Sequence, residues 1–246
     1  MEQEGVWNYT FKVRSFDVNK NNDISLVSIS EYLQEVAGDH ANSKGFGYKQ
    51  VIKEGLVWIL GGIRIEVNRL PIWEEEIHIK TWVVENNRFV SRRDFEWYDT
   101  DGNIIIKATT NWILFDTNKR RPQIIDQMNF PAVLLKGKYA TENNLANIKE
   151  NKENSVSTNY TVRYSDLDMV GHMNNTKYIQ LFTDSYSAEF HNSHKVKSID
   201  INFKVEAKYK DVLELKTFDN GDNEYVHILN RTSDNKSNCL SKIIWE

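Results

Sequence analysis

The chain has 246 residues, 40% of them hydrophobic and 27% charged, with a formal net charge of −4. That is enough chain for a substantial core in one or two domains. The mild negative charge argues against a general nucleic-acid binder, which needs a basic surface. No apolar run reaches the length of a membrane span, and the first residues lack a basic-then-apolar signal layout. One cysteine, Cys239, excludes an internal disulfide framework and fits a reducing compartment, so a soluble cytoplasmic protein is expected.

In chain order, the period-2 pattern predicts a first strand near Tyr9–Val13, followed by Arg14-Ser-Phe-Asp17. Asp23, Ser25 or both are placed to cap a helix whose buried face is Leu26, Ile29, Leu33, Val36 and Ala37, with Gly45 and Gly47 beyond its end. Four long strands are then expected: 56–70, 76–85, 88–98 and 104–115. The first is interrupted by Gly61-Gly62, which reads as a bulge, and the last two are joined by the turn Thr100-Asp-Gly-Asn103. From Lys136 to Ser157 the sequence is polar, charged and non-periodic, as expected of an exposed linker. The organisation read from this is an N-terminal unit over 1–135, a linker over 136–157 and a C-terminal unit over 158–246.

The second half repeats the first. Val162-Arg163-x-x-Asp166 echoes Val13-Arg14-x-x-Asp17, a helix is expected at about 175–190, and strands follow near 196–206, 210–219, 223–231 and 237–245. Asp211–Phe218 echoes Glu75–Trp82, so two copies of one strand–helix–sheet unit are expected, an α+β class. Continuing this alignment, Asn19 faces Asp168 and Asp23 faces His172, so only the second copy keeps the imidazole and both acids.

Chemistry-bearing residues concentrate in Tyr160-Thr-Val-Arg-Tyr-Ser-Asp-Leu-Asp168-Met-Val-Gly171-His172-Met-Asn174-Asn175. The strand gives way to a tight acidic loop, and Tyr178, Leu181, Phe182 and Tyr186 open a helical pattern that Asn174 or Asn175 caps. A helix N-terminus carries partial positive charge and unpaired N–H donors, a place to stabilise a developing oxyanion. The remaining histidines, His78, His191, His194 and His227, read as ordinary surface or strand residues. No His/Cys cluster has ligand spacing, so no metal or cofactor is expected.

The loop V-R-Y-x-D-x-D-x-x-G-H-x-N-N-x-x-Y resembles the signature of hotdog thioesterases, and in detail that of the fatty acyl-ACP thioesterases. Further landmarks run the length of the chain: Ser30–Ala41, Gly45-Phe-Gly47, Gly55-Leu-Val-Trp58, Ser91-Arg-Arg-Asp-Phe95 and Lys119-Arg-Arg-Pro122. The resemblance implies a double hotdog fold, each unit a long antiparallel sheet wrapped around a central helix. It also implies hydrolysis of fatty acyl-ACP to free fatty acid and holo-ACP in fatty acid biosynthesis. The catalytic set proposed for the family's plant members falls on Asp168, His172 and Glu206, the last placed in a strand running from Asp200. The family's asparagine position is Val170 here, and its cysteine position is Ala207, which argues against a Cys–His nucleophile.

Water attack on a thioester needs a proton acceptor and oxyanion donors. Glu206 or Asp168 is expected as the base, with His172 sharing the proton or orienting the water. Backbone N–H groups of Gly171–Asn174 are the expected oxyanion donors, with help from the Asn174 or Asn175 side chains. Seven Trp, eleven Tyr and eleven Phe suit an acyl cavity as well as ordinary sheet-on-helix packing, and Trp58 is a candidate lining residue. Acyl carrier protein bearing a fatty acyl-phosphopantetheine, itself acidic, is the partner implied. A basic patch of Lys119, Arg120 and Arg121, with Arg88, Arg92 and Arg93, would dock it. Rival readings are hydrolysis of acyl-CoA or another small thioester, and a non-catalytic acyl-binding hotdog protein. Chain-length preference and association into a homodimer stay open.

Overall fold

A computed structural model of the chain describes residues 3–125, 131–149 and 155–246. It divides into two compact units, Met1–Asn144 and Leu145–Glu246. The first contains β1 (Val6–Lys12), α1 (Leu26–Ser43), α2 (Tyr48–Val51), β2 (Leu56–Val67), β3 (Glu76–Asn87), β4 (Val90–Tyr98), β5 (Ile104–Asp116) and β6 (Arg121–Pro122). The second contains β7 (Ser155–Thr161), α3 (Asn175–Thr183), α4 (Ala188–Ser193), β8 (Val196–Phe203), β9 (Val212–Asp219), β10 (Glu224–Arg231) and β11 (Lys236–Trp245). No helix among the described residues is long and apolar enough to cross a membrane.

The two units share one topology. The first sheet runs β1-β3-β4-β5-β2 with β6 paired to β5, and the second runs β7-β9-β10-β11-β8, all pairs antiparallel. Each strand of the first order has its counterpart in the same place in the second. Gly61 makes the expected bulge, where the β2–β5 register slips between Leu60 and Gly62.

In the first unit α1 presents Ile29, Leu33 and Val36 to the interior at helical spacing. Its Tyr32 ring stacks on Phe11 of β1 at 3.8 Å and meets Trp97 of β4 edge-on at 6.0 Å. In the second unit α3 buries Tyr178, Ile179 and Phe182, with Tyr178 edge-on to Phe203 of β8 and Phe182 beside His227 of β10. The helix expected over 175–190 is two helices, because Ser187 accepts from the Phe190 N–H and starts a new one. The strand expected to run through Glu206 stops at Phe203. There the N–H groups of Lys204 and Val205 both turn to the Asn238 carbonyl, and the Asn238 amide holds the Val205 carbonyl, which ends the ladder.

The stretch 136–149 has no helix or long strand, yet it is not a free linker. In the first unit Ala140 donates its N–H to the Asp94 carboxylate, and Thr141 is buried beside Arg92. In the second unit the Ala146 N–H goes to Asp200. Buried carboxylates thus hold a segment whose sequence has no periodicity of its own.

Candidate active site

The loop after β7 folds on its own side chains. Asp166 is buried and accepts from the Arg163 N–H at 2.7 Å and the Tyr160 hydroxyl at 2.6 Å, so it is an anchor rather than an open acid. Asp168 Oδ1 accepts from the N–H groups of Val170 and His172, both at 3.0 Å, which rounds off the turn at Gly171 (φ 84). The Asp168 N–H closes onto the His172 carbonyl at 2.8 Å, and Leu167 bridges Met173. A short hairpin results, with Asp168 opposite His172.

A third strand joins it from the turn between β8 and β9. His172 bridges Lys208 in the antiparallel sense, and the Met173 N–H donates to the Ala207 carbonyl at 2.8 Å. Met173 and Ala207 point inward, at 3% and 0% exposure. Side chains alternate along a strand. Their neighbours Asp168, His172, Asn174, Glu206 and Lys208 therefore share the opposite, outward side, and all five are partly or fully exposed. The same register sets Glu206 opposite Asn174. The three sequence-nominated groups, Asp168, His172 and Glu206, therefore stand on one side of this hairpin and the turn beside it, with His172 on the middle segment.

The turn bearing Glu206 is pinned by three contacts. The buried Tyr178 hydroxyl accepts the Ala207 N–H at 3.1 Å, Asn238 holds Val205, and Arg231 reaches the Glu206 carbonyl at 3.4 Å. Burial raises the Tyr178 phenol well above its usual range, so it stays neutral. Lys208, beside His172, carried no signal in sequence, because only the cross-strand register brings it here; Tyr178 was legible as a helix residue and a landmark of the loop, but its bond to Ala207 was not.

Oxyanion donors need a correction. Each backbone N–H from Gly171 to Asn174 already has an acceptor: Asp168 O, Asp168 Oδ1, Ala207 O and Asp166 O in turn. Asn174 is the cap of α3, its Oδ1 accepting from the Thr176 N–H and hydroxyl at 3.0 Å. The Asn174 Nδ2 and the first-turn N–H of Asn175 have no acceptor among the described residues, and these are the donors that remain.

The first unit carries the same scaffold without the chemistry. Asn19 Oδ1 accepts from the N–H groups of Asn21 and Asp23, Val18 bridges Ile24, Asp23 bridges Ile72, and Ile24 donates to the Pro71 carbonyl. Asp17 accepts from the Arg14 N–H and the Tyr32 hydroxyl, and Ser25 caps α1. Asn19, Asp23, Leu70 and Ile72 stand where Asp168, His172, Glu206 and Lys208 stand in the second unit.

Trp58, on β2, lines a cavity of about 190 Å³ in the first unit and donates its indole N–H to the Phe46 carbonyl at 2.8 Å. The expected basic patch holds only in part. Arg88, Lys119, Arg120 and Arg121 are exposed, with Lys119 paired to Asp116 at 3.2 Å. Arg92 and Arg93 are buried on opposite faces of β4, Arg92 against Asp94 and Arg93 against His40, and cannot meet a partner protein.

Two copies of an antiparallel sheet with its own helix, one copy armed with an acid–imidazole loop, define the double hotdog class. The model for the acyl-ACP thioesterase N-terminal domain matches residues 4–129, and that for the C-terminal domain matches 149–246. The chain belongs to the acyl-ACP thioesterase family. It is 28% identical over 260 residues to the chloroplastic oleoyl-acyl carrier protein thioesterase 2 of Arabidopsis thaliana, covering 98% of this chain and 70% of that one. It is 26% identical over 236 residues to the chloroplastic palmitoyl-acyl carrier protein thioesterase of Cuphea hookeriana, covering 87% of this chain and 55% of the relative. The chain thus spans little more than half of that relative's length. A crystal structure of an acyl-ACP thioesterase from Bacteroides thetaiotaomicron superposes with a TM-score of 0.90 at 25% identity, over 98% of both chains.

Proposed function

We propose that this chain hydrolyses fatty acyl-ACP to free fatty acid and holo-ACP, with the second unit supplying the reactive groups. The observation that carries the reading is the three-stranded face that gathers Asp168, His172 and Glu206 in the half matched to the family's C-terminal domain. A water held between Glu206 and His172 attacks the thioester carbonyl carbon, and Glu206 or Asp168, with His172, takes its proton. The oxyanion is met by Asn174 Nδ2 and the Asn175 N–H at the positive end of α3. Collapse breaks the C–S bond, and the pantetheine thiolate leaves with a proton returned through His172.

Asp168 Oδ2 has no partner among the described residues, because only Oδ1 is engaged by the turn. Arg88, Arg120 and Arg121 are the proposed docking cations for the acidic carrier protein, and the buried Cys239 suits a cytoplasmic setting. The test is release of free fatty acid from acyl-ACPs of graded chain length, alongside the matching acyl-CoAs. Turnover of acyl-ACP supports the reading, and turnover of acyl-CoA alone would replace the carrier protein as substrate.

A further inference from the structure

The cavity of the first unit has an apolar wall and one charged floor. Ala37 of α1, Val83 of β3, Trp58 of β2 and Trp112 of β5 supply the wall, while the half-exposed Tyr48 stands where it opens to solvent. At depth lie Ser91 and Arg93, two residues apart on β4 and therefore on the same face of that strand. Arg93 is 4% exposed. Its Nη1 donates to His40 Nδ1 at 2.8 Å and to Thr81 Oγ1 at 3.2 Å, and no described residue accepts from its Nε or Nη2.

Both partners are neutral. A guanidinium only donates, so His40 Nδ1 is an acceptor and its proton sits on Nε2. Burial, then the charges of Arg93 and Lys44, holds the imidazole down to about 3. The neighbouring carboxylate, Asp94, faces the other side of β4 and is held there by Arg92. Among the described residues this buried cation has no counter-charge, which is expensive, and folded proteins normally pair such groups. Tying α1 to β4 uses only one nitrogen of Arg93. The Ser91 hydroxyl, also without a partner among the described residues, faces the same space.

We propose that this cavity selects acyl chains carrying an oxygen acceptor at their far end, a terminal hydroxyl above all, over plain hydrocarbon chains of the same length. The chain enters past Tyr48, lays its methylenes along the tryptophan-lined wall and presents its terminal oxygen to Arg93 Nε and Nη2 and to Ser91. A methyl end would leave those donors dry and unpaired. This specificity rests on reading the chain as an acyl-thioester hydrolase, but the pocket itself is testable without turnover.

The experiment has two arms. In the first, kcat/KM is measured on acyl-ACPs of matched length ending in methyl or hydroxyl, for the wild-type protein, Arg93→Met and Arg93→Lys. The wild type should favour the hydroxyl end by about tenfold or more, the factor one charge-assisted hydrogen bond supports. Arg93→Met should erase the preference and Arg93→Lys should keep part of it. In the second arm, wild-type protein binds the matching acyl-pantetheine amides, which have no thioester to cleave, with Trp58 and Trp112 fluorescence as the readout. Tighter binding of the hydroxyl end supports the proposal even if no thioester is hydrolysed. Equal or weaker binding overturns it, even if hydrolysis of acyl-ACP is brisk.

Discussion

In the proposed mechanism Asp168 has two jobs on two oxygens, and the first unit keeps only the structural one. Asn19 builds the same turn with a neutral amide oxygen, accepting from the residues two and four further on, as Asp168 does. An isosteric Asp168→Asn change should therefore leave the loop folded. We expect its thermal midpoint to stay within a few degrees of wild type, while acyl-ACP hydrolysis falls by about 10²-fold or more, the usual worth of a positioned proton-transfer group. A variant with wild-type turnover would remove the Asp168 charge from the chemistry. Asp168 and His172 were legible in sequence because one short loop holds both. Glu206 was legible only by its place in the family's pattern, since its strand-like flank, Phe203-Lys-Val, hides the turn that Asn238 imposes. Arg92 and Arg93 were misread as surface cations for a related reason: adjacent strand residues point to opposite faces, and here both faces of β4 are covered.

At the level of elements, α3 is a clamp as well as a dipole. Its cap, Asn174, stands on the reactive face, and its Tyr178 hydroxyl receives the N–H of Ala207, next to Glu206. Ser25→Ala removes the cap of α1 in the first unit and should lower stability by about 1 kcal/mol. Asn174→Ala should lose a similar amount and turnover as well, because the proposed oxyanion donor goes with the cap. Denaturant melts run beside turnover assays separate the two effects. Tyr178→Phe frees the turn carrying Glu206, so kcat should drop several-fold while the circular dichroism spectrum is unchanged. An unaltered kcat would mean that Arg231 and Asn238 hold the turn without it. Element types were readable from periodicity and the repeat, while the order of strands in each sheet came only from the structure. The break before α4 was not, because the apolar spacing continues through Tyr186 and only the Ser187 cap marks a new start.

Across the whole molecule, each unit buries a neutral histidine. His40 in the first and His227 in the second are both held down to about 3, His227 by burial alone and His40 by burial reinforced by Arg93 and Lys44. Unfolding lets each bind a proton below the ordinary histidine value of 6.5. Between that value and 3 the unfolded chain holds more protons, so stability is full above pH 6.5 and declines as the pH falls. Thermal midpoints taken from pH 7.5 down to pH 5 should show this decline. His227→Gln should flatten it, and an unchanged slope would mean that the buried imidazole is protonated in the folded state.

Salt reads the partner rather than the fold. Activity on acyl-ACP should fall as ionic strength rises from about 0.05 to 0.5 M while activity on acyl-CoA falls less, because the proposed docking cations are screened within a Debye length. The most direct test compares the free fatty acid released from acyl-ACP by the wild-type protein and by a folded His172→Ala variant. Release by the first and a loss of about 10²-fold in the second is the predicted result. Absence of release across the chain-length series, or equal release by both proteins, would contradict it.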